Sequence, residues 1–335
     1  MKIRVGTPLR MASVALVTVT ALAGCSGMGS EMPKARSKQA ALKNISGPEP
    51  SIPPLPAVAD DPSKPLDFQA GGAVIRPDGS LILPLDAYDS TNAQDVLARA
   101  TTVLAQQCMR GKGLELPAAL MEQAASKPPP PSVIYGVLNM DDARAYGYRM
   151  PPAPANSPVP PGADSSEITE AVTQAYFDDR KQNKPGCRSE AQKQLDAENV
   201  LNDNVYLQDL RSEARTAAHR DSRVTAVTAK WSACMKAAGF DYPDPTAPAH
   251  DRSLLGKGLP TPAGAALPPT SPAEVAVAVA DVTCKRQTQY LETVALVTAA
   301  YQQEIIEKQA QRLQQGQDHW KQQVQNANKV LEGAH

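Results

Sequence analysis

The sequence predicts a mainly α-helical fold: a disulfide-braced helical bundle with a small N-terminal β-hairpin, two diverged helix-loop-helix units, a long C-terminal helix and Pro-rich disordered loops. Three observations predict it. Apolar residues recur at helical spacing over much of the chain after residue 92. The 31 Pro and 20 Gly among 335 residues come in clusters, and clustered Pro and Gly interrupt helices and strands. Beyond Cys25 four cysteines remain, Cys108, Cys187, Cys234 and Cys284, an even number that reads as two disulfides in an exported chain.

Export is read from the first residues. Lys2, Arg4 and Arg10 precede an apolar run from Met11 to Ala21, too short to span a bilayer, which needs about 20 residues. The run ends in Leu22-Ala23-Gly24-Cys25, which resembles a bacterial lipobox. On that reading 1–24 is a lipoprotein signal peptide, and the Cys25 thiol takes a diacylglyceryl group. Two acyl chains, at roughly 0.8 kcal/mol per buried CH₂, anchor stably where one is marginal. The expected location is the extracytoplasmic face of a bacterial cell membrane, with the membrane itself as the first partner.

Residues 25–66 are polar, rich in Pro and without the period of helix or strand, and are expected to be a flexible stalk reaching up to about 100 Å. In 67–90, Ala73-Val74-Ile75 and Leu81-Ile82-Leu83 flank Arg76-Pro77-Asp78-Gly79-Ser80, the clearest hairpin signal in the chain. The first braced unit is assigned to 91–200. It opens with a helix from Asn92 that places Val96, Ala100, Val103 and Leu104 on one side, carries Cys108 in its last turn and stops at Gly111 and Gly113. Short helices are expected over Asp141 to Tyr146, Ser165 to Asp179 and Cys187 to Leu195.

The second unit is assigned to 201–335. Val205 to Ala238 reads as helix broken near His219 to Ser222, with Val224, Val227, Trp231, Cys234 and Met235 on one stripe. From Ala273 to Leu331 there is no Pro and one glycine, Gly316; a single helix of that length would reach about 88 Å and protrude in part. Its end is Gln-rich, with ten Gln from Gln302 to Gln325, while Leu313, Trp320, Val324 and Leu331 prolong an apolar stripe. That stripe either packs on the chain's own helices or forms a coiled-coil face for an envelope protein partner.

Four cysteines allow three pairings. An internal likeness orders them: Cys108-Met109-Arg110-Gly111-Lys112-Gly113-Leu114-Glu115-Leu116-Pro117 shares with Cys234-Met235-Lys236-Ala237-Ala238-Gly239-Phe240-Asp241-Tyr242-Pro243 the plan Cys-Met-basic-x-x-Gly-apolar-acidic-apolar-Pro. Each copy is followed by a second Cys with a basic neighbour, Cys187-Arg188 and Cys284-Lys285, so the expected bonds lie within copies, Cys108 to Cys187 and Cys234 to Cys284. Each would contribute about 4 kcal/mol by loop entropy. No cysteine sits in a CxxC pair or at ligand spacing from a His, which speaks against zinc and against a catalytic thiol.

These motifs carry a resemblance. Trp231 with Cys234-Met235 and Gly239-Phe240, Tyr242-Pro243, Asp281 with Cys284-Lys285, Tyr301, Cys108-Met109 with Gly113, and Tyr146-Gly147-Tyr148 look like a family of secreted and lipid-anchored actinobacterial proteins of uncharacterised function. The resemblance runs from about Thr91 to Leu331. It implies placement and the disulfide frame, and carries no activity with it.

Chemistry is sparse. Lys and Arg number 34 against 35 Asp and Glu, so the near-neutral chain lacks the basic footprint of a nucleic-acid binder. His219, His250, His319 and His335 have no Ser, Cys or second His at useful spacing, and no triad assembles. Asp241, Asp244 and Asp251 lack the spacing of a calcium loop and read as a solvated turn. Trp231 and Met235 read as packing around a disulfide. With no phosphate-cradling Gly loop and no dinucleotide fingerprint, no cofactor is implied. The functional expectation is a non-enzymatic envelope lipoprotein acting as a binding or scaffold module for a transporter or wall-associated partner. The alternative is a hydrolase acting on cell-wall or extracellular material, which needs two carboxylates facing each other across a cleft.

Overall fold

A computed structural model describes residues 43–58, 61, 63–89, 94–121, 132–149, 168–179, 184–195, 197–254 and 270–333. The segment 1–24 expected to be a signal peptide, Cys25 and the Pro-rich stretches 128–131, 151–161 and 255–269 lie outside the described residues. The fold is mainly helical with a small antiparallel sheet.

The sheet holds the expected hairpin and one more strand. Strands β2 (Ala73–Ile75) and β3 (Leu81–Ile82) pair antiparallel, Val74 opposite Ile82, across a turn that Gly79 closes by donating its N–H to the Arg76 carbonyl at 2.8 Å. Ahead of them β1 (Phe68–Ala70) pairs with β2, Phe68 opposite Ile75 and Ala70 opposite Ala73. Gly71 and Gly72 make this tighter turn, at φ +53° and +82°, a backbone that glycine reaches without steric cost. A Cβ on Gly71 would stand 2.9 Å from a Leu296 methyl and 3.1 Å from Pro53, so glycine is needed for contact as well as for conformation.

The helices are α1 (Gln94–Gly111), α2 (Ser132–Tyr135), α3 (Met140–Tyr146), α4 (Glu170–Tyr176), α5 (Cys187–Gln194), α6 (Ala197–Arg220), α7 (Ser222–Ala237), α8 (Pro272–Thr288) and α9 (Tyr290–Glu332). The break expected near His219 to Ser222 falls at Asp221, whose carboxylate caps α7 by accepting from the Arg223 backbone N–H at 2.9 Å.

Two expectations need correction. The C-terminal helix is not continuous: Gln289 adopts a left-handed conformation (φ +56°, ψ +40°) and separates α8 from α9. No Pro or Gly marks the place. A non-glycine residue there costs about 1 to 2 kcal/mol and persists only where its surroundings hold it. The Gln289 amide donates to the Pro56 carbonyl at 2.8 Å, its backbone N–H caps α8, and its carbonyl accepts from Thr293.

The second correction concerns the stalk. The described residues of 43–66 are laid along the body as a strap. Asn44 bonds Glu213 of α6 and accepts from Lys308 and Gln309 of α9; Glu49 accepts from Ser222; the Pro50 carbonyl accepts from Arg223, and the Lys64 carbonyl from Arg286. Ile45, Ile52, Leu55 and Leu66 pack half-buried against the main core. Twenty residues of α9, from Gln309 back to Gln289, span about 30 Å, a distance that strap residues 44–56 cover in extended form.

Helix α9, 43 residues and about 65 Å long, passes through two cores. From Tyr290 to Gln302 every residue is buried, as expected of a helix enclosed on all sides, here by α6, α7, α8 and the sheet. Its far end does not protrude: Ala327, Val330 and Leu331 pack into a second core with α1, α4 and α5. Among the described residues no helix is long and apolar enough to cross a membrane.

Candidate functional site

Both expected disulfides are present, Cys108 to Cys187 and Cys234 to Cys284, with Cα atoms 5.6 and 5.7 Å apart. The likeness between the two copies extends to backbone geometry. After Met109 and after Met235, both fully buried, the chain ends its helix the same way: Gly113 donates to Arg110 and Leu114 to Met109, as Gly239 donates to Lys236 and Phe240 to Met235. Both glycines have positive φ, +72° and +91°. The likeness then stops. Cys187 begins α5, whereas Cys284 lies within α8, just before its last turn, so the second halves of the two units are built differently. Cys108, Cys187 and Glu190 lie close together, but the sulfurs are bonded to each other and are not free as metal ligands.

Beside Cys284 a buried polar cluster ties α7, α8 and the segment around α3 together. Asp281 accepts from Trp231 Nε1 at 3.0 Å, from the Tyr148 hydroxyl at 3.2 Å and from Lys285 Nζ at 2.9 Å, and Lys285 also donates to the Val137 carbonyl at 3.1 Å. Burial pushes the Asp281 carboxyl up and the Lys285 amine down, each opposed by the other's charge. Burial followed by the Asp281 charge likewise raises the Tyr148 hydroxyl. Two helical turns earlier Glu274, fully buried, accepts from the Tyr148 backbone N–H at 3.2 Å and pairs with Arg149 at 3.4 Å. Trp231, Tyr148, Asp281 and Lys285 are thus the motif residues of the sequence gathered in one place, with their polar groups turned inward onto one another.

A second cluster is open to solvent. Where α6 crosses α9, Asp203, 9% exposed, accepts from Arg312 and stands 2.7 Å from His319 Nδ1. The Arg312 guanidinium lies 5.0 Å above the Tyr206 ring. Tyr206 donates to Gln309 at 2.7 Å, and Gln309 donates to Asn44 at 2.6 Å, so the start of the strap and this cluster share one chain of contacts. The cleft above Asp203 is lined by Tyr88, Asn204, Leu207, Leu313, Gly316 and Trp320 and has a volume of about 20 Å³, room for a single water. Sequence reading missed it because its polar partners lie 109 and 116 residues apart, on stretches that each look like ordinary solvated helix.

The C-terminal stripe is taken up largely within the chain. Leu313 is 4% exposed in the main core, Leu331 packs half-buried in the second core, and Trp320 and Val324 are half-buried. With Leu313 buried, the four residues do not form one continuous exposed face. Of the histidines, His219 is exposed on α6, His250 Nδ1 lies 2.8 Å from the Thr246 carbonyl, and His335 is outside the described residues. Asp244 and Asp251 accept from residues two positions on, Thr246 and Ser253, and Asp251 also from Tyr242, as turn-forming acids do. No protein-family model, curated protein or solved structure matches the chain.

Proposed function

We propose that this chain is a lipid-anchored envelope protein that works by binding rather than by catalysis, a scaffold or accessory module held to the extracytoplasmic face of a membrane through Cys25. The observation that carries the extracytoplasmic half of this reading is the pair of disulfides, which persist in oxidising compartments and are rare in the cytosol. The Cys-Met-x-x-x-Gly plan and its likeness to actinobacterial envelope lipoproteins support the same placement.

The binding half rests on where the charges are. The Asp281 and Glu274 carboxylates are engaged with buried partners. In the open cleft Asp203 has one oxygen on Arg312 and the other on His319, so among the described residues the pair of opposed acids that a carboxylate-dependent hydrolase needs is not assembled there.

Metabolic labelling with a fatty acid tests the anchor. The native chain is expected to take up label and to fractionate with membranes, and Cys25→Ser to do neither, because the hydroxyl cannot replace the thiol that accepts the diacylglyceryl group. Labelling of the Ser variant would reject the anchor, and release of reducing sugar or peptide from purified wall material by the native protein would reject the binding role.

A further inference from the structure

Gly316 is the one glycine in the 43 residues of α9. Mid-helix, glycine costs about 1 kcal/mol relative to alanine. Packing does not require it: a Cβ there would meet Asp203 at 3.5 Å, an ordinary contact. Gly316 lines the cleft above Asp203, and the absence of a side chain there keeps the cleft open.

The walls of that space have a definite chemistry. Trp320, Tyr88 and Tyr206 converge on it in a chain whose aromatic content is only 4%. Arg312 and His319 form the polar rim, their side chains 35% and 41% exposed, with Asn204 beside them. His319 faces Asp203 through Nδ1, which leaves Nε2 as the ring nitrogen turned away from that pair. The electrostatics select against ions. Arg312 and Asp203 offset each other's charge, so the cleft offers an ion no uncompensated partner, while the guanidinium N–H groups beyond Nη2 can still donate to a neutral acceptor. A neutral ring bearing hydroxyls needs neither charge; it needs an aromatic face for its C–H groups and donors and acceptors at the edge.

We propose that this cleft is a sugar-binding site, with one ring of a neutral glycan resting against the Trp320 side chain and its hydroxyls reaching Arg312 and His319. The proposal rests on the envelope-binding role above and names the class of partner. With room for a single water inside, the cleft takes a hydroxyl rather than a whole ring, so the ring lies across its mouth, which suits recognition of an exposed polymer.

The test uses the full chain purified in detergent and trisaccharides of glucose, N-acetylglucosamine, mannose, galactose and arabinose. Saturation-transfer NMR and indole fluorescence are read with each sugar at about 10 mM, a concentration suited to weak single-site binding. At least one trisaccharide should show saturation transfer. Its affinity should fall at least tenfold in Trp320→Ala and severalfold in His319→Ala, an exposed rim change that spares the core. Gly316→Leu, which fills the opening, should abolish binding, with circular dichroism melts confirming that each variant is folded. Absence of transfer with all five sugars, or transfer undiminished in folded Trp320→Ala and Gly316→Leu, would overturn the site. Neither result bears on Cys25, since labelling and sugar binding are read independently, so failure of one reading is distinguishable from failure of the other.

Discussion

Lys285 and Asp281 show how much a single contact can carry at the residue scale. Both are almost wholly buried on α8, four residues apart, and removing one partner of such a pair leaves the other as an uncompensated charge. Lys285→Met should therefore cost about 3 to 5 kcal/mol at neutral pH, measured by urea denaturation. The deficit should also depend on pH. Without the ammonium, the Asp281 carboxyl, already held above its ordinary value by burial, rises further, so the folded state binds a proton more tightly than the unfolded one. Stability gained from that proton is fully present below the ordinary carboxylate range and is lost as pH rises through the raised folded value. The variant should thus approach the parent on acidification to about pH 4, and Asp281→Asn combined with Lys285→Met should recover much of the loss at neutral pH. A deficit under about 1 kcal/mol, or one that does not change with pH, would contradict this account. At this scale the sequence was half legible. The spacing Asp281, Cys284, Lys285 and the pattern Trp231, Cys234, Met235 stood out as motifs, and Trp231 was rightly read as packing beside a disulfide. That Trp231 donates to Asp281, and that Tyr148 does too, depends on segments 50 and 133 residues away, which no local spacing encodes.

Among the elements, the strap is the one the sequence hid. The described residues of 43–66 form neither helix nor strand, and a segment without a period and rich in Pro reads as a solvated linker. Its attachment comes instead from single aliphatic residues set at irregular intervals, Ile45, Ile52, Leu55 and Leu66, and from backbone carbonyls offered to Arg223, Gln289 and Arg286. Pro suits this role because it holds an extended backbone and needs no partner for an N–H it lacks. A chain beginning at residue 57 loses Ile45, Ile52 and Leu55 and uncovers part of α9. At about 1 kcal/mol for each half-buried aliphatic, the expected cost is about 3 kcal/mol, or a midpoint lower by about 6 to 12 °C. An unchanged midpoint would return the segment to the status of a free stalk. The α8–α9 break has the same logic. Left-handed Gln289 is secured partly by its amide on the Pro56 carbonyl, so the feature that ended the continuous helix lies 233 residues away in the part of the chain that looked least structured. By contrast, the turn at Arg76 to Ser80, the stop at Gly147 and the Asp221 break were readable, because Gly, Pro and capping Asp act on their immediate neighbours.

For the whole molecule the question is why one helix should be about 65 Å long. Its first half fills the main core, and its last turns supply Ala327, Val330 and Leu331 to a second core otherwise built mainly by α1, α4 and α5. The two disulfides divide along the same line, Cys234–Cys284 bracing the main core and Cys108–Cys187 joining α1 to α5 in the second. Helix α9 is then the beam on which both cores are mounted, and truncation after Gly316 becomes a test of that arrangement. The cut removes Trp320, Ala327, Val330 and Leu331 and takes away the surface against which α1 packs, while the main core keeps Leu313 and both disulfides remain. If α9 is the common beam, amide hydrogen exchange should show α1, α4 and α5 losing protection while α6, α7 and α8 hold theirs, and the unfolding transition should split into an early and a late step. The early step should move to still lower temperature on reduction of Cys108–Cys187, because the covalent link between α1 and α5 would be gone. Uniform protection across both groups of helices after truncation would mean that the second core stands without α9. In that case the apolar residues beyond Gly316 would be available to a partner after all.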